Sequence, residues 1–127
     1  LTRTMLTEMT QGRPDVVVFE LGDGILGAYG VEAILADSDI RKVLSAVVLS
    51  ANDPVAAWGG VKLLRERFSI EPCAVTGPAT DNAVGVDIIE QQMQVRAFNA
   101  ITAGAALGDH IIESLGLATQ AATAVNQ

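Results

Sequence analysis

Short apolar runs, each opening at its carboxyl end into small polar residues and glycine, recur along this chain and constrain its fold more than any other feature. They are Asp15-Val-Val-Val-Phe-Glu20, Ser45–Ser50, Pro72–Thr76 and Val95–Asn99. Runs this short, rich in Val and bounded by turn residues, read as strands buried on both faces. The segments between them carry helical spacing. Alternation of this kind implies right-handed crossovers, a parallel sheet and helices packed on it. The chain is therefore expected to be an α/β domain: a small parallel sheet of about four strands with helices on both faces, a three-layer, Rossmann-like arrangement.

The punctuation supports that order. Leu1, Met5, Leu6 and Met9 are spaced as in a helix that stops near Gly12-Arg13-Pro14. Gly22, Gly24, Gly27 and Gly30 mark an irregular loop after the first run. Asp37-Ser38-Asp39 breaks the next helical stretch, which predicts two short helices over 31–44. Asp53-Pro54 is a capping residue followed by proline at the first helical position, so a helix is expected from there to about Phe68, with Trp58, Val61, Leu63 and Leu64 on its apolar side. Helices are also expected over 84–93, with Ile88, Ile89 and Met93 inward, and over 104–115. The Ala- and Thr-rich tail from Ala118 is expected to fray.

Composition narrows the function classes. Half of the 127 residues are hydrophobic and only 4% are aromatic, which suits Ala- and Val-rich helices on buried strands. That length fits one domain over 1–127. The net charge is −7, and the eight basic residues form no stripe. Nucleic acid and anionic membrane surfaces are therefore not expected partners. No apolar run approaches the ~18 residues of a membrane span, and no signal peptide opens the chain. The single cysteine, Cys73, cannot form an internal disulfide, which suits a cytoplasmic location. Because the chain opens on Leu1 already in helical sequence, it reads as part of a longer protein with an N-terminal segment or domain preceding it.

In open parallel sheets ligands bind beyond the carboxyl ends of the strands. Here those ends read Glu20-Leu-Gly-Asp-Gly24, Ser50-Ala-Asn-Asp53, Thr76-Gly-Pro-Ala-Thr-Asp-Asn82 and Asn99-Ala-Ile-Thr102. Capping and turn chemistry accounts for any one such loop; four on one edge argue for a small-molecule site. In the first loop, Glu20 and Asp23 place two carboxylates at a strand mouth. Such carboxylates hold a hydrated magnesium ion or orient a water, and Gly22 and Gly24 let backbone amides approach a ligand. The third loop offers Thr76, Thr80, Asp81 and Asn82, with Asp81 or Asn82 expected to cap the next helix and the others free to meet a base, a sugar or an anion. In the second, Asp53 is expected to cap and Asn52 to contact a ligand.

Other residues carry less. His110 has no second histidine or cysteine at zinc spacing, so zinc is not supported. Cys73 lies in an apolar strand and is expected to be inert, and a Cys73–His110 nucleophile pair requires the fold to bring the two together. Trp58 is expected in the core or at an interface. Gly59-Gly60-Val61-Lys62 lacks the spacing of a phosphate loop and falls in mid-helix.

The stretch Asp15-Val-Val-Val-Phe-Glu20-Leu-Gly22 resembles the second acidic motif of P-loop NTPases, and is most similar to their dethiobiotin synthetase-like branch. Thr76-Gly77 and Thr80-Asp81-Asn82 look like that branch's nucleotide-base loop. The resemblance runs in element order from Asp15 to about Ile101. It implies ATP and magnesium as cofactors, Glu20 and Asp23 as the metal-associated and catalytic acids, and Gly22, Gly24, Asn52, Thr76, Thr80, Asp81 and Asn82 around the nucleotide. It further implies a kinase- or ligase-type step on a small molecule. No Gly-x-x-x-x-Gly-Lys-Ser/Thr is present, so the cradle for the β and γ phosphates is missing. Alone, this chain is not expected to hydrolyse ATP.

Two alternatives stand beside that expectation. One is a non-catalytic Rossmann-like module that binds a ligand or packs against another domain or a second copy as a homo-oligomer. The other is an NAD(P)-binding domain, because Gly22, Gly24 and Gly27 have dinucleotide-fingerprint spacing. Against it, Asp23 sits within the turn, and the acid near Asn52-Asp53 lies ~25 to 30 residues on rather than about 20.

Overall fold

The structure is a computed structural model that describes residues 1–116. The tail expected to fray lies outside the described residues. The chain divides into two compact units, one over Leu1–Val43 and one from Leu44 onward.

The first unit is helical. Helix α1 spans Thr2–Thr10, α2 Val31–Ala36 and α3 Ser38–Val43. The break expected at Asp37 is present and has a clear cause. Asp37 Oδ1 accepts the backbone N–H groups of Asp39 (2.9 Å) and Ile40 (3.3 Å), which starts α3 afresh. The same carboxylate takes a forked pair of bonds from the Arg3 guanidinium, Nε to Oδ2 at 2.7 Å and Nη2 to Oδ1 at 2.9 Å, tying α1 to the α2–α3 corner. The hydrogen bonds from Arg3 hold the Asp37 carboxyl below the usual carboxylate range. Val31, Leu35 and Ile40 are the buried apolar residues of this unit.

The run Asp15–Glu20 corrects the sequence expectation. It forms no strand here; Val16 is 44% exposed and Val18 83%. An apolar run becomes a strand only by pairing its backbone with a neighbour, and the described residues of this unit contain no other strand to pair with. The described residues thus carry three strands rather than about four.

The second unit holds the sheet. Strand β1 spans Val48–Ser50, β2 Ala74–Thr76 and β3 Arg96–Ala97, all parallel and in the order β1-β2-β3. Helix α4 (Pro54–Phe68) links β1 to β2, α5 (Ala83–Met93) links β2 to β3, and α6 (Gly104–Ser114) follows β3. Register places Leu49, Val75 and Ala97 side by side. They pack with Ala57 and Val61 of α4 and Ile89 and Met93 of α5. Successive strand residues point to opposite faces. Accordingly Ala74 joins a different cluster, with Phe98 and with Leu107 and Ile111 of α6. Gly60 permits the close approach of α4 to the sheet, since a Cβ there would sit 2.7 Å from the Leu49 side chain.

Helix ends follow local chemistry. Asp53 accepts from the Ala56 N–H at 2.8 Å with Pro54 at the first helical position, and Asn82 accepts from Gly85 at 2.9 Å. Helices α4 and α5 stop on Ser69 and Gln94, both left-handed with φ of 54°. Val61 and Leu64 of α4 are buried as expected, and Leu63 is half-buried. Ala57, Val61, Leu64 and Phe68 are buried, while Trp58 is half exposed with the Lys62 ammonium 5.1 Å above its ring. Ala57, fully buried, lies in the same cluster as Val75. Among the described residues, no helix is long and apolar enough to cross a membrane.

Two outcomes test this packing. Leu64 is 2% exposed, so Leu64→Ala should cost ~2–5 kcal/mol in denaturant unfolding. Glu71 receives Arg65 through Nε at 2.8 Å and Nη2 at 2.6 Å, and those hydrogen bonds hold its carboxyl below the ordinary value. A carboxyl lowered in the fold stabilises fully above the unfolded value of about 4.3 and loses that contribution as pH falls through the lowered one. The pair is solvent-exposed, so it is worth under about 1 kcal/mol. Glu71→Gln should therefore lower stability at pH 7 slightly and leave it nearly unchanged at pH 2, by denaturant titration at both values.

Candidate functional site

Three loops leave the carboxyl ends of the strands, and hydrogen bonds stitch them into one edge. Ala51, just past β1, donates its N–H to the Thr76 carbonyl and accepts the Ala79 N–H on its own carbonyl, both at 3.0 Å. This brings the β2–α5 loop against the end of β1. Gly77 makes the turn with φ of 90°, and a Cβ there would lie 2.7 Å from both the Ala51 carbonyl oxygen and Ser50 Oγ. Only glycine meets both conditions. Pro78–Thr80 then form one 3-10 turn.

Thr80 is buried, 3% exposed. Its hydroxyl lies 2.7 Å from the Gly77 carbonyl oxygen and 3.3 Å from that of Phe98. Asn99 closes the edge from the β3 side. Its Nδ2 donates to the Thr80 carbonyl (3.3 Å) and to Asp81 Oδ1 (3.0 Å), while its Oδ1 accepts the N–H groups of Ile101 (3.0 Å) and Thr102 (3.1 Å). A Cβ on Gly85 would overlap the Ala79 carbonyl, so the first turn of α5 also needs glycine to sit against this loop.

The residues named from sequence divide accordingly. Thr76, Thr80, Asp81, Asn82 and Asn52 all belong to this edge of the second unit. Asn82 and Asp53 are helix caps, and Thr80 is an internal fastener. Asp81 and Asn52 are exposed, and Asn52 has no side-chain hydrogen bond among the described residues. The Thr76 hydroxyl oxygen is buried with no partner among the described residues. Glu20, Gly22, Asp23 and Gly24 fall in the first unit, in an exposed irregular stretch. A Cβ on Gly22 would meet nothing within 4 Å, so local space does not demand glycine there. Among the described residues, no three His, Cys, Asp or Glu side chains gather as a metal group. The fingerprint glycines do not lie between a strand and a helix start, because α2 begins at Val31 after the left-handed Gly30.

Asn99 ties this edge together, and the sequence alone gives it only a place in its loop. Its one local signal is position, as the first polar residue after the last apolar run. Its partners Thr80 and Asp81 are 18–19 residues away, beyond any spacing rule.

The fold does bring Cys73 and His110 together, but not as a nucleophile pair. His110 Nε2 lies 2.8 Å from the Cys73 carbonyl oxygen rather than directed at the thiol, and its ring lies 5.3 Å from that of Phe98. Burial pushes the Cys73 thiol above its ordinary pKa, against smaller lowering by hydrogen bonds from the backbone and the Ser114 hydroxyl. A raised, half-covered thiol is a poor nucleophile. These contacts fasten α6 to the start of β2.

Comparison with protein-family models, curated proteins and solved structures finds no match to this chain.

The unpartnered Thr76 hydroxyl gives a direct test of how this edge is built. An orphaned buried hydroxyl costs ~1–3 kcal/mol, so the near-isosteric Thr76→Val should hold or raise stability, by up to ~1 kcal/mol, in thermal unfolding.

Proposed function

We propose that this chain is the nucleotide-binding part of a P-loop NTPase-like enzyme, with the base end of the ligand at the edge formed by Asn52, Thr76–Asn82 and Asn99. In this reading ATP and magnesium drive a kinase- or ligase-type step on a small molecule. The observation that supports it is the knitting of three separate strand-end loops into one polar edge by hydrogen bonds, where parallel sheets bind ligands. The finer architecture belongs to the same proposal: helices on both faces in three layers, and Asp15–Glu20 as a fourth strand once a neighbouring strand is supplied.

Two carboxylates, Glu20 and Asp23, do not make a protein-only cage. They do suit magnesium, which keeps several waters and takes one or two carboxylates together with phosphate oxygens. When bound, the ion would neutralise phosphate charge. The chain's own part is to present Glu20 and Asp23 on a stretch open to solvent and to hold the base by the Thr80–Asn82 turn. The lysine-bearing phosphate cradle would come from an upstream segment.

A second reading, a non-catalytic module for ligand binding or self-association, draws support from a different observation. Asp53 and Asn82 each use a side-chain oxygen as a helix cap and Thr80 fastens its own turn, and α4 leaves Val55 79% and Trp58 50% exposed. An NAD(P)-binding domain has least support, because the glycine fingerprint lacks its strand and helix.

Titration calorimetry of the full-length protein with ATP and magnesium separates these readings. The nucleotide reading expects binding, weakened about tenfold, ~1.4 kcal/mol, by Glu20→Ala. No binding of ATP removes it. In that event a change of sedimentation on Trp58→Ala, with Glu20→Ala silent, favours the module.

A further inference from the structure

Helix α4 turns Ala57, Val61, Leu64 and Phe68 to the core. Its helical period then puts Val55, Gly59, Lys62 and Glu66 on the opposite side, with Trp58 beside them. All five are exposed, Val55 at 79% and Trp58 at 50%. The Lys62 ammonium lies 5.1 Å from the centre of the Trp58 ring and 3.3 Å from Glu66 Oε1. One cation thus restrains the indole and offsets the carboxylate. This face carries no net charge on a chain of net charge −7, so two copies can meet here without the mutual repulsion that the chain as a whole imposes. Gly59 is the unusual residue. Glycine weakens a helix interior relative to alanine. Its neighbour Gly60 has a reason in the Leu49 side chain, but a Cβ on Gly59 would meet nothing within 4 Å and its backbone is not left-handed. Nothing among the described residues requires glycine at 59.

A two-fold interface presents one patch to itself, so a protrusion and the recess that receives it must lie on that same patch. Trp58 and Gly59 are such a pair, adjacent in sequence. We propose that the outward face of α4 is a self-association surface, on which two copies of this chain pack antiparallel about a two-fold axis passing between positions 58 and 59, each Trp58 indole lying on the bare backbone of the other copy's Gly59. The same axis brings each Val55 level with the aliphatic stem of the other copy's Lys62. Glycine at the crossing lets the helix axes reach the close end of the usual range of about 8–10 Å. A single helix face is small beside the ~1,600 Å² of a standard interface, so the dimer is weak and forms as concentration rises. The inference rests on the self-association named in the second reading above, giving it a partner and a geometry, and it holds whether or not the strand-end edge binds a nucleotide.

Trp58 is the one tryptophan of the chain, so its emission reports on this face directly. The test is sedimentation velocity and tryptophan fluorescence on the full chain over a dilution series. On concentrating, the sedimentation coefficient should rise toward that of a dimer, and the emission should move to shorter wavelength with the same midpoint. Trp58→Ala should raise the dissociation constant about tenfold or more. Gly59→Ala gives the sharper arm because its two effects have opposite signs. It should raise the thermal midpoint of the dilute monomer, as alanine does in a helix interior, and yet weaken the dimer several-fold, because the added methyl holds the indole off. A Gly59→Ala protein that is more stable and associates as before overturns the inference. So does a chain that stays monomeric throughout, and so does a dimer whose emission does not move and whose dissociation constant ignores both substitutions. None of these results bears on ATP binding, since Trp58 and Gly59 lie outside the strand-end edge.

Discussion

The pairing of β2 with both of its neighbours is the constraint on which the second unit depends. Its three residues are matched on one side by Val48–Ser50 and on the other by Arg96–Ala97, and its two faces bury Val75 and Ala74 completely. Parallel strands cannot be joined by a hairpin, so each pairing demands a long return path, and α4 and α5 are those paths. Covering the Leu49–Val75–Ala97 row then fixes which side of each helix turns inward. The edge follows in turn. Thr76 and Val75 supply carbonyls to Ala51 and Phe98, each at 3.0 Å, and these bonds determine where the loops begin.

That dependence also shapes the candidate site. Its loops are short and their polar atoms are largely spent on each other. Gly77 and Gly85 are held by backbone contacts that admit no side chain. A surface of this kind is organised before any ligand arrives, which lowers the cost of ordering on binding. It also restricts what remains to be offered, essentially Asn52, the outer oxygen of Asp81 and the amides of the adjoining turns.

What the sequence made legible was what is local. Asp53-Pro54 and Asn82 announce helix starts because a cap and its N–H are three residues apart, and Asp37 announces a break for the same reason. Four of the five helix-forming stretches read from periodicity appear near their expected bounds, and the fifth divides at Asp37 as its acidic cluster implied. Non-local pairing was not legible. Asp15–Glu20 has the composition of a strand, but composition supplies no partner, and Val18 stands in solvent. Trp58, expected in the core or at an interface, is half exposed, and the small Ala57 is the buried residue at that end of α4. At the candidate site, the caps were visible while Asn99 was not, since its role is defined by residues contributed from another loop.

The way α4 and α5 end has a separate implication for how this protein can be altered. Ser69 and Gln94 both hold a left-handed backbone that an L side chain adopts at a cost and glycine adopts freely. Both follow the carboxyl ends of helices that run back along the sheet, so these strained residues precede the strands while the polar loops follow them. Conformational strain and the polar loops thereby lie at opposite ends of the strands. Relieving the first at 69 or 94 leaves the second untouched, and the scaffold can drift or be engineered for stability without retuning the edge it supports.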